Sequence, residues 1–356
     1  MKKTLNKTKI ADFATYIGVV IAFIVMNALM NEGLLTRSMK GQLVPICCYI
    51  VMAVSLNLTV GILGELSLGH AGFMSVGAFT GVVTAMSLQS AIPSDGVRLA
   101  LAIVMGAIFA GIAGTLVGIP VLRLHGDYLA IVTLAFGEII KELINCLIIG
   151  YDENGLHIIF NATGAKTVTD LGLTETGKVL IKGAQGATGT DTIASFTAGF
   201  ILIMVTLVVV LNLARSRSGR AIMALRDNRI AAESVGINVT KYKLMAFVTS
   251  AALAGGAGAL YGLNFSNLVS SKFDFNTSIL ILVFVVLGGL GNMWGSIIAA
   301  AVLTVLPEAL RGFADYRMLI YAIVLIVVML ATNSPQMKAL LSKLVPFGKK
   351  GEKEHA

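Results

Sequence analysis

Long apolar runs, separated by short polar or Gly/Pro-rich stretches, follow one another along most of the chain. A helix that crosses a bilayer needs about 20 mostly apolar residues, and these runs lack the period-two alternation of membrane strands. The pattern predicts an all-α fold, a polytopic membrane helix bundle with about ten transmembrane segments. The predicted crossings are 11–31, 42–62, 67–88, 98–120, 127–149, 193–213, 244–264, 278–291, 295–310 and 317–333.

The composition supports a membrane protein. Of the 356 residues 56% are hydrophobic and only 13% are charged, whereas soluble domains carry roughly 25% charged residues. The sequence around Asn31 and Glu32, after the first apolar run, is a poor signal-peptidase site, so we expect this run to be a retained helix.

Motifs for chemistry are missing from the sequence. Cys47, Cys48 and Cys146 have no metal-ligand spacing, and we interpret them as packing residues. No phosphate-binding G-x-x-x-x-G-K-S/T motif or HExxH zinc motif occurs, so we expect no metal, no cofactor and no enzymatic activity, ATP hydrolysis included.

Basic clusters give the orientation, because Lys and Arg near helix ends favour the cytoplasm. They lie before the first crossing, in a 214–243 segment and in a basic 334–356 tail. We expect all three in the cytoplasm, with 150–192 an external loop of a single transmembrane domain covering 1–356. An even number of crossings must then separate 243 from the tail, which requires a break within 288–295. The basic residues match no nucleic-acid-binding motif, so no nucleic acid partner is expected.

Two segments resemble each other. Residues 110–118 and 254–262 share the pattern A-G-x-A-G-x-L-x-G, and the predicted topology runs them in opposite directions. This is typical of an inverted repeat, a common transporter plan. Small-residue stripes for helix packing would give the same pattern, so both interpretations stay open.

The junction of the second and third crossings, 55–75, combines repeated glycines with Asn57, Glu65, Ser67, His70 and Ser75. Polar side chains at membrane depth are costly unless they line water or a site. A broken helix here would offer N–H groups to a carboxylate and C=O groups to an ammonium, and an amino acid carries both. The alternative is a structural turn in which Glu65 and His70 pair or face water.

Glu138 and Lys141 lie one turn apart in the fifth predicted crossing. A charge there suggests a proton relay or a substrate contact. An intramembrane ion pair between Glu138 and Lys141 explains the residues equally well, and we prefer it because a relay needs further acidic groups.

The segment 218–238 has the pattern of a short amphipathic helix, with arginines on one side and an apolar side made of Ile222, Leu225, Ile230 and Val235. Ser218 is expected to cap its start. Such a helix either lies in the membrane interface or docks its apolar side in a groove of another subunit.

These segments resemble the permease subunits of branched-chain amino acid ABC transporters of the LivM/LivH type. The resemblance covers most of the chain after about residue 42 and is carried by SLNL at 55–58, GELSLGHA at 64–71, GDYLAIVTL at 126–134, GRA at 219–221 with AAESVGIN at 231–238, and VLGGLGNMWG at 286–295. The element RLHGDY at 123–128 points to the LivM side. The 150–192 stretch departs from the family pattern.

The resemblance implies a second permease subunit, two ATP-binding subunits and an extracytoplasmic amino-acid-binding protein as partners, in the cytoplasmic membrane of a bacterium. It implies an ATPase-coupling region comprising Arg226, Ala231, Ala232, Glu233 and Gly236. It also favours a substrate pathway along Asn57, Glu65, Ser67, His70, Ser75 and Thr133. Two rivals stay open: an ion-coupled secondary transporter that uses Glu138, and an ABC permease for a sugar or urea.

Overall fold

The computed structural model describes residues 2–33, 36–124, 126–152, 155–161, 168–173, 177–310, 319–320, 322–323 and 325–326. The chain divides into two compact units, 1–301 and 302–356. The predicted crossing at 317–333 falls largely outside the described residues, and the predicted tail at 334–356 falls wholly outside them.

The described residues are mostly helical. The helices are α1 (Lys2–Asn31), α2 (Arg37–Asn57), α3 (His70–Ser87), α4 (Asp95–Val121), α5 (Asp127–Asn145), α6 (Phe196–Arg215), α7 (Arg217–Asp227), α8 (Arg229–Ser234), α9 (Val239–Gly262), α10 (Phe275–Gly288) and α11 (Met293–Ala309). Five helical stretches of the described chain are long and apolar enough to cross a membrane: 13–31, 37–63, 95–121, 196–215 and 239–262. The helices α10 and α11 are apolar but shorter.

Burial separates the central helix from the peripheral ones. Nearly all of α2 is buried, whereas α1 exposes large apolar side chains such as Phe13 and Ile24. A helix that is apolar all round belongs in the interior of a bundle, and exposed apolar side chains on a membrane helix suit contact with lipid. The small residues Cys47 and Cys48 lie on the buried helix.

Helices α3, α4 and α9 approach closely through small residues. A Cβ added to Gly77 of α3 would lie 2.0 Å from the Gly255 carbonyl oxygen of α9, and one added to Gly258 would lie 1.9 Å from that of Met74. A Cβ on Gly255 would also lie 2.3 Å from Ala110 Cβ of α4. The small residues of 110–118 and 254–262 therefore serve as packing contacts of α4 and α9, and the inverted repeat stays a prediction.

The segment after α5 contains a small sheet, so the prediction of an all-helical chain is wrong there. Its strands are β1 (Leu147–Asp152), β2 (Gly155–Phe160), β3 (Lys178–Lys182), β4 (Ala187–Thr188) and β5 (Asn267–Leu268). They pair antiparallel in the order β2-β1-β3-β4-β5. Helix α5 ends at Asn145 rather than near 149, because the apolar run that follows it pairs as a strand. Short apolar runs rich in isoleucine fit either structure.

The predicted break between the two short crossings is confirmed. Gly289 and Gly291 adopt φ values of 93° and 81° between α10 and α11, a region that favours glycine. A Cβ added to Gly295 would lie 1.8 Å from the Gly288 carbonyl oxygen, so the turn closes on itself tightly.

The sheet and the short helices lie at opposite ends of α9. Helices α7 and α8 precede its first residue, Val239, whereas β5 follows its last, Gly262. Strand β3 packs beside α3, and Lys178 of β3 donates to Gln89, just beyond the last residue of α3. The chain therefore has a sheet end and a short-helix end.

Candidate functional site

The end of α2 departs from α-helical geometry. The chain continues as a π-helix from Leu58 to Leu63, and Gly64 then ends it with φ 80°. The Glu65 N–H donates to the Thr59 carbonyl at 3.2 Å. Residues 64–69, which we call the polar link, lie outside any helix until α3 begins at His70. The interruption indicated by the sequence at 55–75 is therefore present.

The polar link is held against α5. The Leu68 N–H donates to Thr133 Oγ1 at 3.1 Å, and the Thr133 hydroxyl donates to the Ala130 carbonyl at 2.9 Å. A Cβ added to Gly69 would lie 2.1 Å from the Thr133 carbonyl oxygen. The glycine at this position therefore lets the backbone of the link contact α5 directly.

His70 is buried and bonded to α2. Its Nε2 lies 2.8 Å from Ser55 Oγ, and the Ser55 hydroxyl lies 2.9 Å from the Met52 carbonyl oxygen. The single hydroxyl proton goes to that carbonyl, so the geometry assigns the Nε2–H tautomer, with His70 as donor. His70 therefore pairs with Ser55 and not with Glu65.

Asn57 joins the end of α2 to the turn between α10 and α11. Its Nδ2 donates to Ser296 Oγ at 2.9 Å, and its Oδ1 accepts from the Gly291 N–H at 2.8 Å. Asn57 and Ser296 are both fully buried. The sequence indicates Asn57 but not these partners, which lie more than 230 positions away.

Glu65 forms an ion pair with Lys243 of α9. Only 15% of the Glu65 side chain and 4% of the Lys243 side chain are exposed. In the sequence, Lys243 is notable only as one of the basic residues of the 214–243 segment. It is a member of the site that the sequence analysis missed, and an ionisable group beside an apolar run is the signal that could have found it.

Two serines of the predicted pathway differ in their bonding. The Ser75 hydroxyl donates to the Gly72 carbonyl of its own helix at 2.8 Å. Ser67 Oγ in the polar link is buried and has no hydrogen-bond partner among the described residues. A buried hydroxyl without a partner costs free energy, which makes Ser67 the member of the set with hydrogen-bonding capacity left for a ligand.

The segment 218–238 forms two helices, α7 and α8, and not one. Ser216 caps α7 by accepting from the Gly219 N–H at 3.0 Å, so the prediction of Ser218 as the cap is wrong. Asn228 interrupts the helix and caps α8 by accepting from the Ala231 N–H at 3.0 Å. Gly236, with φ 85°, follows the end of α8, the left-handed conformation in which glycine commonly ends a helix.

The four residues of the predicted apolar side do not share one environment: two are buried and two are exposed. Ile222 and Leu225 are buried, and Leu225 packs with Ala232 and Val239 in a small hydrophobic cluster. Ile230 and Val235 are 80% and 75% exposed. The first pair attaches the short helices to the bundle, and the second pair leaves an apolar surface open.

The expected coupling residues occupy different positions on this segment. Ala232 is buried, while Ala231 and Gly236 are exposed. Glu233 is exposed and accepts from Arg229 Nε at 3.2 Å. Arg226 projects back to the bundle, where its Nη1 donates to the Gly61 carbonyl in the π-helix.

Glu138 and Lys141 form the expected ion pair on α5. Glu142 lies 4.0 Å from Lys141 Nζ on the same helix. The Lys141 side chain is largely buried, whereas Glu142 is exposed. Within α5, two carboxylates thus share the single ammonium of Lys141.

The structure brings five of the six predicted pathway residues to the end of α2, the polar link and the start of α3, and Thr133 contacts the link from α5. Each of them except Ser67 is bonded to a different neighbour. The partners that the sequence analysis left out are Ser55, Lys243, Ser278 and Ser296, and Ser278 Oγ accepts from the Ala71 N–H at 3.2 Å. No group of three or more His, Cys, Asp or Glu residues suited to a metal occurs in the described part of the chain.

Comparison with known proteins now adds the family. Residues 38–330 match the family described as branched-chain amino acid transport system / permease component. The chain is 35% identical over 293 residues to the high-affinity branched-chain amino acid transport system permease protein LivM of Escherichia coli (strain K12), covering 79% of this chain and 66% of that relative. It is 22% identical over 289 residues to LivH of Salmonella typhimurium, covering 79% and 88%.

A ribose import permease protein, RbsC of Haemophilus influenzae, is 32% identical over 123 residues, covering 32% of this chain and 38% of the relative. No solved structure matches the chain.

The identity to LivM is higher than the identity to LivH, which confirms the prediction that the chain resembles LivM more than LivH. The matched region extends from the start of α2 to beyond α11 and includes the polar link, α7 and α8. The chain belongs to the family of permease components of branched-chain amino acid transport systems.

Proposed function

We propose that the chain is the permease subunit of an ABC importer that carries leucine, isoleucine and valine across the cytoplasmic membrane. The observation that carries this proposal is the family match over 38–330, which contains every element of the candidate site. The relatives LivM and LivH are named as high-affinity branched-chain amino acid permeases. The chain itself would not hydrolyse ATP, since its sequence has no phosphate-binding loop.

The proposed topology has ten crossings, with both termini, the 214–243 segment and the 334–356 tail in the cytoplasm. The nine helices α1 to α6 and α9 to α11 account for nine crossings, and 317–333 would be the tenth. The contact of Arg226 with the end of α2 supports this threading, because both belong on the cytoplasmic side. The sheet end would then face the exterior, where it replaces the predicted 150–192 loop.

The proposed partners are a second permease subunit, two ATP-binding subunits and an extracytoplasmic amino-acid-binding protein. The exposed side chains of Ile230 and Val235 support ATPase docking at α7 and α8, because isolated large apolar side chains on a basic surface suit a groove of another subunit. Arg226, Ala231, Ala232, Glu233 and Gly236 belong to this coupling region.

The proposed pathway passes the polar link. Ser67 is the direct contact that we favour, because its buried hydroxyl lacks a hydrogen-bond partner in the part of the chain that the structure describes. Asn57, Glu65, His70, Ser75 and Thr133 already have partners, so their role is to hold the interrupted segment in position. In this interpretation the Glu138–Lys141 pair stabilises the bundle.

The proposal is tested with the complete importer reconstituted in liposomes. We expect uptake of labelled leucine that requires ATP inside, requires the binding protein outside, and is inhibited by unlabelled leucine but not by ribose or urea. Leucine uptake by the isolated chain under an ion gradient would instead support a secondary transporter, and inhibition by ribose or urea alone would identify another substrate.

The coupling region has its own test. Charge reversal by Glu233→Lys is expected to reduce uptake while ATP hydrolysis continues, because Glu233 lies on the exposed surface of α8. Unchanged uptake in this variant would count against the docking role of α8.

A further inference from the structure

The last turn of the π-helix is a point where three parts of the chain converge: the end of α2, the α10–α11 turn and α7. Gly61 lies so close to Asn57 and to the α10–α11 turn that an added Cβ would be 1.8 Å from Asn57 Oδ1 and 2.3 Å from the Gly291 nitrogen. Arg226 of α7 donates to the Gly61 carbonyl. A Cβ on Gly291 would lie 3.5 Å from that same oxygen and 3.8 Å from Arg226 Nη1.

The Gly61 carbonyl is available because of the way the helix ends. The last carbonyls of a helix have no intrahelical donor, and the N–H of Glu65, which an α-helix would direct to Gly61, donates to Thr59 instead. A guanidinium supplies a charged donor in its place. The side chain of Arg226 also covers Gly64, where an added Cβ would lie 2.8 Å from Arg226 Cγ.

Arg226 is carried by short helices that pack against one another and against the start of α9. It follows Leu225, which is buried against Ala232 and Val239 in the cluster that joins α7, α8 and the start of α9. A displacement of α8 is therefore passed to Leu225 and to its neighbour Arg226. The other side of the contact is equally fixed, because Asn57 bonds the π-helix to Gly291 and Ser296.

We propose that Arg226 is the positioning residue that transmits the movement of the α7–α8 segment to the π-helical end of α2 and, through Asn57, to the α10–α11 turn. This inference rests on the proposed function, since it needs a partner that moves α8. The π-helix is where this movement would act: π-turns are rare single-turn features that are frequent at functional sites, and a change of register there would shift the polar link that follows it.

The first experiment uses the reconstituted complete importer and compares Arg226→Ala, Arg226→Lys and Arg220→Ala. Arg220 is an exposed arginine on the same helix whose guanidinium donates to the Arg215 carbonyl at 3.4 Å and has no hydrogen bond to the π-helix among the described residues, so it is the matched control. We expect Arg226→Ala to hydrolyse ATP at the wild-type rate but to import about tenfold fewer amino acids per ATP, because a hydrogen bond to a charged donor is lost. Arg226→Lys should recover part of the loss, and Arg220→Ala should match the wild type.

Three outcomes would overturn the proposal: wild-type import per ATP in Arg226→Ala, an equal loss in Arg220→Ala, or a loss of ATP hydrolysis together with import. The last result would place Arg226 at the contact with the ATPase. Purification of each complex with its ATPase subunits shows whether the variant has assembled. If Arg226→Ala fails to assemble, Arg226→Lys decides the question, with a reduced import per ATP expected and the wild-type value contradicting the proposal.

A second experiment does not depend on the substrate. Spin labels at Met223→Cys on α7 and Leu290→Cys in the α10–α11 turn, both exposed positions, report the distance across the contact in a Cys146→Ser background. With Arg226 present we expect the same distance with and without ATP, and with Arg226→Ala we expect it to change with the nucleotide. A nucleotide-independent distance in both proteins would overturn the link even if leucine import is established. Absence of leucine import in the wild type would refute the proposed substrate and leave this measurement valid.

Discussion

Glu65 and Lys243 form an ion pair in which both side chains are largely buried, and it fastens the polar link to the first turns of α9. Removing one member of such a pair leaves the other charge unpaired in a medium of low dielectric constant, which costs about 3 kcal/mol or more. We therefore expect Glu65→Gln to lower the thermal stability of the purified protein strongly, as measured by its unfolding temperature in detergent.

The double variant Glu65→Gln/Lys243→Met is the control for this prediction. Replacing both members removes the unpaired charge, so it should recover most of the lost stability. If the double variant is as unstable as Glu65→Gln, the ion pair is not what the single substitution disrupts.

Ser67→Ala separates a ligand contact from a structural role. Its hydroxyl forms no hydrogen bond with any described residue, so stability should be unchanged or slightly higher. If Ser67 contacts the amino acid, the KM of import should rise roughly tenfold, the effect of one lost hydrogen bond of about 1.4 kcal/mol.

The matched control for Ser67 is Thr206→Val, which removes a buried hydroxyl that donates to the Leu202 carbonyl of its own helix at 2.8 Å. This variant should keep the wild-type KM. An unchanged KM in Ser67→Ala would rule out the direct contact.

Gly258→Ala tests the close packing of α9 on α3. Its Cβ would lie 1.9 Å from the Met74 carbonyl oxygen, a backbone atom that cannot rotate away, so we expect a loss of more than about 3 kcal/mol, beyond ordinary overpacking. Yield of folded protein by size-exclusion chromatography is the measurement.

Gly41→Ala is the corresponding control, because no described residue outside its own helix turn lies within 4 Å of a Cβ at Gly41 in α2. It should be neutral or raise stability by about 0.5 kcal/mol, since alanine favours the helix. Equal yields of the Gly258→Ala and Gly41→Ala variants would contradict the helix contact described above.

Ile230→Asp tests the exposed apolar surface of α8. A carboxylate at this 80% exposed position cannot enter an apolar groove without losing its hydration, so the ATP-binding subunits should no longer co-purify with the permease. The control is Ile158→Asp on β2, an isoleucine that is 62% exposed at the sheet end. It should leave the ATPase subunits bound, and retention of them by Ile230→Asp would mean that α8 docks elsewhere.

The sequence predicted the long helices well, because runs such as 95–121 and 239–262 carry a signal that depends on local composition alone. It did not predict the sheet, because the apolar residues of β1 satisfy a helix and a strand equally and their pairing with β3 is a long-range choice. The division of 218–238 into α7 and α8 depends on the Asn228 cap, a local signal that was present in the sequence but was not used.

The sequence predicted which residues belong to the site, but it did not predict the hydrogen bonds that these residues form. Asn57 and His70 stand out as polar groups in apolar surroundings, which is a local property. Their partners Gly291, Ser296 and Ser55 follow only from how α2, α3 and α11 pack. The role of Arg226 is of the same kind, since its contact with Gly61 spans 165 positions.

The pairing of β4 with β5, through Ala187 and Leu268, has a mechanical consequence. It ties the chain that leaves α5 to the chain that leaves α9 by main-chain hydrogen bonds, so separating these two helices at that end would require breaking a sheet. At the opposite end the described residues include no such strand pairing between α5 and α9. We therefore expect these two helices to separate less readily at the sheet end than at the end where α7 and α8 lie.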